Sequence, residues 1–171
     1  MIRILVLCTG NSARSILGEA LFNALGEGKI TAISAGSQPK GEPHPVALET
    51  LKAHGLPTEG YSSKSWDVFA GTQAPEIHGV ITVCDSAASE TCPIWPGAPV
   101  QVHWGLPDPA YVTPDAACRE AFEQTYQALK TRVEAVLAFD GDLSDPASLN
   151  AALKAAHEGV SLPGFQPRET H

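Results

Sequence analysis

Cys8-Thr9-Gly10-Asn11-Ser12-Ala13-Arg14-Ser15 sets a cysteine six positions ahead of an arginine, with a serine next to it. The element lies between a short apolar run, IRILVL at residues 2–7, and a segment whose apolar residues recur at helical spacing. That placement gives the motif its chemistry. A helix N-terminus offers unpaired backbone N–H groups and the positive end of the helix dipole, so a short loop there can wrap a tetrahedral oxyanion. The same field lowers a thiol pKa, which makes Cys8 a thiolate nucleophile near neutral pH, aimed at the centre of the bound anion. Arg14 can hold two oxygens of that anion through its guanidinium fork. Asn11 and Ser15 can fix the loop and stabilise the thiolate, while Thr9, Gly10, Ser12 and Ala13 complete the cradle. The competing reading is a buried cysteine ahead of a glycine-containing turn.

The elements that must position this loop follow from pattern. Residues 2–7 read as a buried strand, being short, β-branched and abruptly ended. Ile16, Leu17, Ala20, Leu21, Ala24 and Leu25 then share one helical face, with Gly26 and Gly28 as the stop. Lys29 to Ser34 is a second strand. Pro43 and Pro45 frame the start of a helix that carries Val46, Ala47, Leu48 and Leu51 to Gly55. Gly79 to Val83 predicts a third strand, ending at Cys84, and Pro99 to Trp104 a weaker fourth. Thr113-Pro114-Asp115 opens a long helix with proline at the first helical position and Cys118, Phe122, Leu129, Val133 and Val136 as its apolar stripe. A last amphipathic helix, Asp145 to His157, has Leu149, Ala152, Leu153 and Ala156 on one face, ahead of a polar tail from Ser161. Alternating strands and helices point to a parallel sheet.

Length and composition bound the function. A chain of 171 residues with 43% hydrophobic and 18% charged residues suits one globular domain, large enough to bury a sizeable core. Nineteen acids against eleven bases give a net charge of -8, and without a Lys/Arg cluster nucleic acid is excluded as a partner. The longest apolar run, Ile4 to Cys8, is too short to span a membrane. No export signal is apparent, so a cytoplasmic, reducing setting is expected for Cys8, Cys84, Cys92 and Cys118, where thiols are more often catalytic or metal-binding than structural disulfides.

Together with further motifs, these features resemble the low-molecular-weight protein-tyrosine-phosphatase superfamily and, within it, the thioredoxin-coupled arsenate reductases that regenerate through thiols of their own. Beside the Cys8 loop, the matching pieces are Ser34-Ala35-Gly36, Ser62-Ser63-Lys64 ahead of a short helix, Thr82-Val83-Cys84-Asp85, Cys92-Pro93, and His103-Trp104-Gly105 leading to Asp108-Pro109-Ala110. The resemblance covers residues 1–139 as an arsenate reductase domain and leaves 140–171 as a helical extension and tail. It implies an α/β fold, a four-stranded parallel sheet in order 2-1-3-4 with helices on both faces and the Cys8 loop at the switch point between strands 1 and 3.

The resemblance also implies roles. Asp108, just beyond the fourth strand, would protonate the oxygen that leaves when the Cys8 thiolate attacks. Cys84 would attack the adduct on Cys8, and Cys92 would take over the disulfide and carry it to thioredoxin, with glutaredoxin and glutathione as the alternative reductant. Two unrelated buried thiols, or a zinc site completed by His103, are the other readings of that pair. Cys118 is assigned to the core, and His103 either supports the acid segment or packs. Tyrosine phosphatases of the superfamily carry proline after the loop serine and aromatic residues after Asp-Pro. Here Ile16 and Ala110 stand instead, with Tyr111 as a partial aromatic wall, which favours arsenate over a phosphoprotein. The function implied is reduction of arsenate to arsenite, with residual phosphatase activity. The alternatives are a phosphatase working through a Cys8 phosphoenzyme and a non-enzymatic arsenite binder. Some members hold potassium near residues equivalent to Asn11, Ser34 and Ser62-Ser63; Lys64 falls where those members carry an acid. No metal or cofactor is therefore expected, and a monomer is.

Overall fold

The computed structural model describes residues 2–8, 10–26, 28–69, 76–83, 100–106, 109, 112–139 and 141–158. Cys84, Cys92, Asp108, Thr9, Ala110 and Tyr111 lie outside them. Strands β1 (Ile2–Leu7), β2 (Ile30–Ala35), β3 (Gly79–Thr82) and β4 (Val100–His103) form one four-stranded sheet in order β2-β1-β3-β4. Every pairing is parallel, and Leu7 sits beside Ala35 on one side and Thr82 on the other. Cys8 therefore leaves the carboxyl edge of the central strand where the chain order reverses, the usual ligand position in open α/β sheets.

Side chains alternate between two faces, as the pleat requires. Ile4, Val6, Ala32, Ile81 and Val102 join one core, which also takes residues of helices α1 (Arg14–Leu25), α2 (Pro45–Ala53), α3 (Asp115–Leu137) and α4 (Pro146–Glu158). Leu5, Leu7, Ala35 and Val80 face the other way, onto Ile77 and onto Trp66 of a 3-10 turn at Trp66–Phe69. Close approach on the helical face depends on Gly18: a Cβ there would stand 3.1 Å from Val6 Cγ1. This lets α1 press on β1 and aims its N-terminus at the strand's end.

Elements begin and end within a residue or two of the sequence expectation, β2 starting at Ile30 rather than Lys29. Pro114 is a correction. It is the N-cap of α3 rather than its first helical residue, because its extended backbone presents the carbonyl that Cys118 N–H reaches at 2.9 Å. The stripe expected for α3 is buried as drawn, with Tyr126 and Arg132 added to it.

Helix α4 packs its expected face, Leu149, Ala152, Leu153 and Ala156, into the main core; burying the two leucines stabilises by roughly 2 kcal/mol each. It also holds β4. Trp104, just past that strand, stacks near Phe22 and donates its indole N–H to Leu153 O at 2.8 Å. Among the described residues no helix is long and apolar enough to cross a membrane.

Candidate active site

The loop from Cys8 to Ala13 is held from outside by its carbonyls. Gly10 O accepts from Lys40 N–H at 3.0 Å and from Ser63 Oγ at 2.9 Å, and Ser12 O accepts from His44 N–H at 2.7 Å. A trans peptide sets the N–H of the next residue opposite each carbonyl. The N–H groups of Asn11 and Ala13 therefore point away from those outer partners. Cys8 is buried at the start of the loop, its own N–H fixed to Ala35 O at 3.2 Å. The N-terminus of α1 carries no side-chain cap at Ala13, so its amide dipoles are directed into the loop. The loop thus joins a buried thiol to an uncapped helix N-terminus, a placement suited to an anion.

Asn11 is the keystone. Its φ of 45° is in the left-handed region, which asparagine tolerates better than most residues. Its amide donates to Ser15 Oγ at 2.8 Å and Ser34 Oγ at 3.0 Å, and its carbonyl oxygen accepts from Lys64 N–H at 2.8 Å. Asn11, Ser15 and Ser34 are all fully buried. Ser34 in turn donates to Glu19 Oε1 at 2.5 Å. Burial pushes the Glu19 carboxyl up, against the lowering effects of the Ser34 hydrogen bond and the nearby Lys64 charge. Burial pushes the Lys64 ammonium down, and Glu19 opposes that shift; the ammonium donates to Ser62 O at 2.8 Å. Tyr61 is raised by burial and by the same carboxylate. A partly buried acid and base behind the loop thus each feel the other's charge.

Arg14, nine-tenths buried at the first residue of α1, donates through Nη1 to Leu106 O at 2.7 Å. That carbonyl is itself placed by two main-chain bonds, Trp104 N–H to Thr82 O at 2.7 Å and Leu106 N–H to Val83 O at 3.1 Å. The segment that leads to Asp108 is therefore tied both to the end of β3 and to Arg14. Pro109, the residue after Asp108, receives the Cys118 thiol on its carbonyl at 3.5 Å. Cys118 is in the core, as expected. The His103 ring, exposed at the end of β4, meets Thr82 Oγ1 at 2.8 Å on the neighbouring strand, and the acid segment it was expected to support includes Asp108, outside the described residues. Ile16, which stands where tyrosine phosphatases carry proline, is fully buried in α1.

The structure thus brings together Cys8, Gly10, Asn11, Ser12, Ala13, Arg14 and Ser15. Three contributors escaped the sequence analysis. Glu19 had a visible signal: an acid four residues after Ser15, one helical turn on, beside the apolar stripe. Lys40 and His44 had none, since their loop contacts are backbone bonds from a Gly/Pro-rich segment. Among the described residues no group of His, Cys, Asp and Glu is arranged to hold a metal ion.

Residues 3–154 match the family described as low molecular weight phosphotyrosine protein phosphatase. An arsenate reductase of Bacillus cereus is 36% identical over 107 residues, 63% of this chain and 76% of the relative. A glutaredoxin arsenate reductase of Synechocystis is 28% identical, over 81% of this chain and 98% of its own. Among solved structures, an arsenate reductase in the phosphate-binding state superposes with a TM-score of 0.66 at 28% identity, over 81% of this chain and 98% of that one. The Corynebacterium glutamicum thioredoxin-dependent arsenate reductase gives 0.53 at 25% identity, over 76% of this chain and 59% of that one.

Proposed function

Because this chain belongs to the low molecular weight phosphotyrosine protein phosphatase family, we propose that it reduces arsenate to arsenite at the Cys8 loop. The observation that supports the reading is the loop itself: its carbonyls are bonded outward, Cys8 is buried at its start, and Arg14, at the helix N-terminus that ends it, is fixed to Leu106 O. The Cys8 thiolate attacks arsenic, and the displaced oxygen leaves as water once Asp108 has protonated it. Cys84 then attacks Cys8 Sγ. The new S–S bond forms as the As–S bond breaks, its electron pair stays on arsenic, and arsenite departs. Cys92 attacks Cys84, returning Cys8 as a thiolate, and an external dithiol reduces the Cys84–Cys92 disulfide.

Thioredoxin is the proposed reductant, in line with the Corynebacterium structure; the Synechocystis relative keeps glutaredoxin with glutathione as the alternative. Both systems belong to a reducing compartment, so cytoplasmic location goes with the proposal. Lys64 brings an ammonium close enough to Glu19 for each to feel the other's charge, and no potassium is proposed behind this loop. The family also supports a second reading, hydrolysis of phosphomonoesters through a Cys8 phosphoenzyme.

Arsenate turnover with thioredoxin, thioredoxin reductase and NADPH, beside a glutaredoxin and glutathione mixture, tests the proposal. Cys84→Ser and Cys92→Ser should each lose multiple-turnover reduction while keeping aryl phosphate hydrolysis. Parent-rate cycling of Cys92→Ser with thioredoxin would reduce Cys92 to a structural thiol. Parent-rate cycling of Cys84→Ser with glutathione and glutaredoxin would make an external thiol the attacker. Phosphatase turnover without arsenate reduction by the parent chain would favour the second reading.

A further inference from the structure

Helix α2 meets the Cys8 loop through its N-cap residue, His44. The backbone of His44 lies extended at φ -67° and ψ 135°, its N–H donates to Ser12 O at 2.7 Å, and its ring nitrogen Nδ1 accepts from Val46 N–H at 3.1 Å. One residue thus serves two structures: its side chain closes the first turn of α2, and its amide closes the loop. Among the described residues Gly10 O has two donors outside the loop, whereas the partner of Ser12 O is the His44 N–H. The peptide fixed by that bond carries on its opposite side the N–H of Ala13, the residue ahead of Arg14. A turn of this peptide would redirect an amide at the uncapped start of α1. Helix α3 braces the arrangement. The His44 ring lies on the fully buried Phe122 with centroids 4.9 Å apart. At the far end of α2 the C-cap residue His54 stacks on Tyr126 at 3.9 Å and meets the Glu123 carboxylate at 2.8 Å. Both ends of α2 therefore rest on α3, which holds the helix in register.

We propose that His44 is a positioning residue of the anion site: its Nδ1, by capping α2, holds its own N–H on Ser12 O and so fixes the Ser12–Ala13 peptide for a tetrahedral oxyanion. The inference rests on the Cys8 loop being the anion site. The imidazole acts through the main chain, so another acceptor of similar reach serves, and asparagine can cap α2 in its place. Phenylalanine keeps a ring over Phe122 but has no acceptor, and alanine keeps neither. A residue that only stabilised the helix would, when replaced, lower the melting temperature and leave anion binding by the folded chain unchanged.

The test uses the full-length reduced protein, at a temperature where circular dichroism shows each variant fully folded, and measures how inorganic phosphate protects Cys8 from iodoacetamide. Alkylation is followed by mass spectrometry of the tryptic peptide from Ile4 to Arg14, in which Cys8 is the sole cysteine. His44→Ala and His44→Phe should each raise the phosphate concentration needed for half-protection about three- to tenfold, while His44→Asn stays within about twofold of the parent. Half-protection unchanged in His44→Ala and His44→Phe would overturn the proposal even if both melt earlier, since helix stability alone would behave so. A loss in His44→Asn as large as that in His44→Phe would also overturn it, because the acceptor would then not be what matters. A parent protein that phosphate fails to protect would contradict the anion site itself, a failure told apart because it needs no substitution.

Discussion

The two ends of the parallel sheet handle polar side chains differently. At the carboxyl end Asn11, Ser15 and Ser34 are fully buried and bonded to one another, and every bond reaches back to the Cys8 loop. At the amino end Arg3 bonds Glu76 O and the ring of His78, and His78 Nε2 is 4.0 Å from a Glu76 carboxylate that is 66% exposed. Hollows are present there too, one of about 280 Å³ lined by Glu76, His78, Ser144 and Leu149, and one of about 330 Å³ beside Lys29, Phe139 and Asp142. Space alone therefore does not make a site. What separates the ends is convergence: buried donors at the carboxyl end are held by several segments at once, whereas the partners of Arg3 at the amino end come from one segment, residues 76–78, and are partly solvated. Buried polar groups cost stability unless fully paired, so such a network marks the end whose geometry matters.

Substitutions can break this contrast, beginning with the strongest. Cys8→Ser should abolish both arsenate reduction and aryl phosphate hydrolysis, because a hydroxyl stays protonated where the thiol ionises; arsenite release and nitrophenol release are the readouts. Arg14→Lys should cost about a hundredfold or more in kcat/KM, since a point charge cannot reproduce the guanidinium fork or the bond to Leu106 O. Asn11→Ala removes three hydrogen bonds, two of them buried, and should lower unfolding free energy by about 3 kcal/mol, measured by urea titration, with turnover falling at least about tenfold as the loop loosens. At the amino end, His78→Ala gives up one bond to Arg3 N–H and should cost no more than about 1.5 kcal/mol, with turnover within about twofold of the parent. A large catalytic loss there would erase the contrast.

Glu19 sharpens the comparison through pH. Its carboxyl is raised chiefly by burial, so the folded chain keeps the proton to a higher pH than the unfolded chain. As pH climbs from the ordinary carboxylate value through the raised one, the unfolded state ionises first and stability is lost. Glu19→Gln lacks that titration. Its melting temperature relative to the parent should therefore rise as pH increases across this window, a difference that calorimetry at several pH values would read. A flat difference would mean that the carboxyl is not desolvated behind the loop.

Much of this was legible in the sequence, and the limits have a physical cause. The strand–loop–helix placement of Cys8 and Arg14 depends on neighbours in the chain, and the strand order followed from the family resemblance. The outward bonds of the loop depend on residues far along the chain, such as the bond from Lys64 N–H to Asn11, and no spacing rule reports them. Helix α4 shows the same division. Its apolar face was visible as periodicity, but its grip on Trp104 through Leu153 O was not, because a backbone acceptor carries no sequence signature. Pro114 missed by one position because proline suits either side of a helix start, and the bond from Cys118 N–H to its carbonyl decides between them.

The central claim is that this chain's own thiols reduce an arsenate bound at the Cys8 loop. Fully reduced protein mixed with one equivalent of arsenate and no other thiol tests it most directly, with arsenite quantified and the intact mass recorded. The account predicts about one arsenite per chain and a mass lower by two protons, with Cys8 joined to Cys84 when Cys92 is replaced by serine. An unchanged mass and no arsenite until glutathione is added would contradict it.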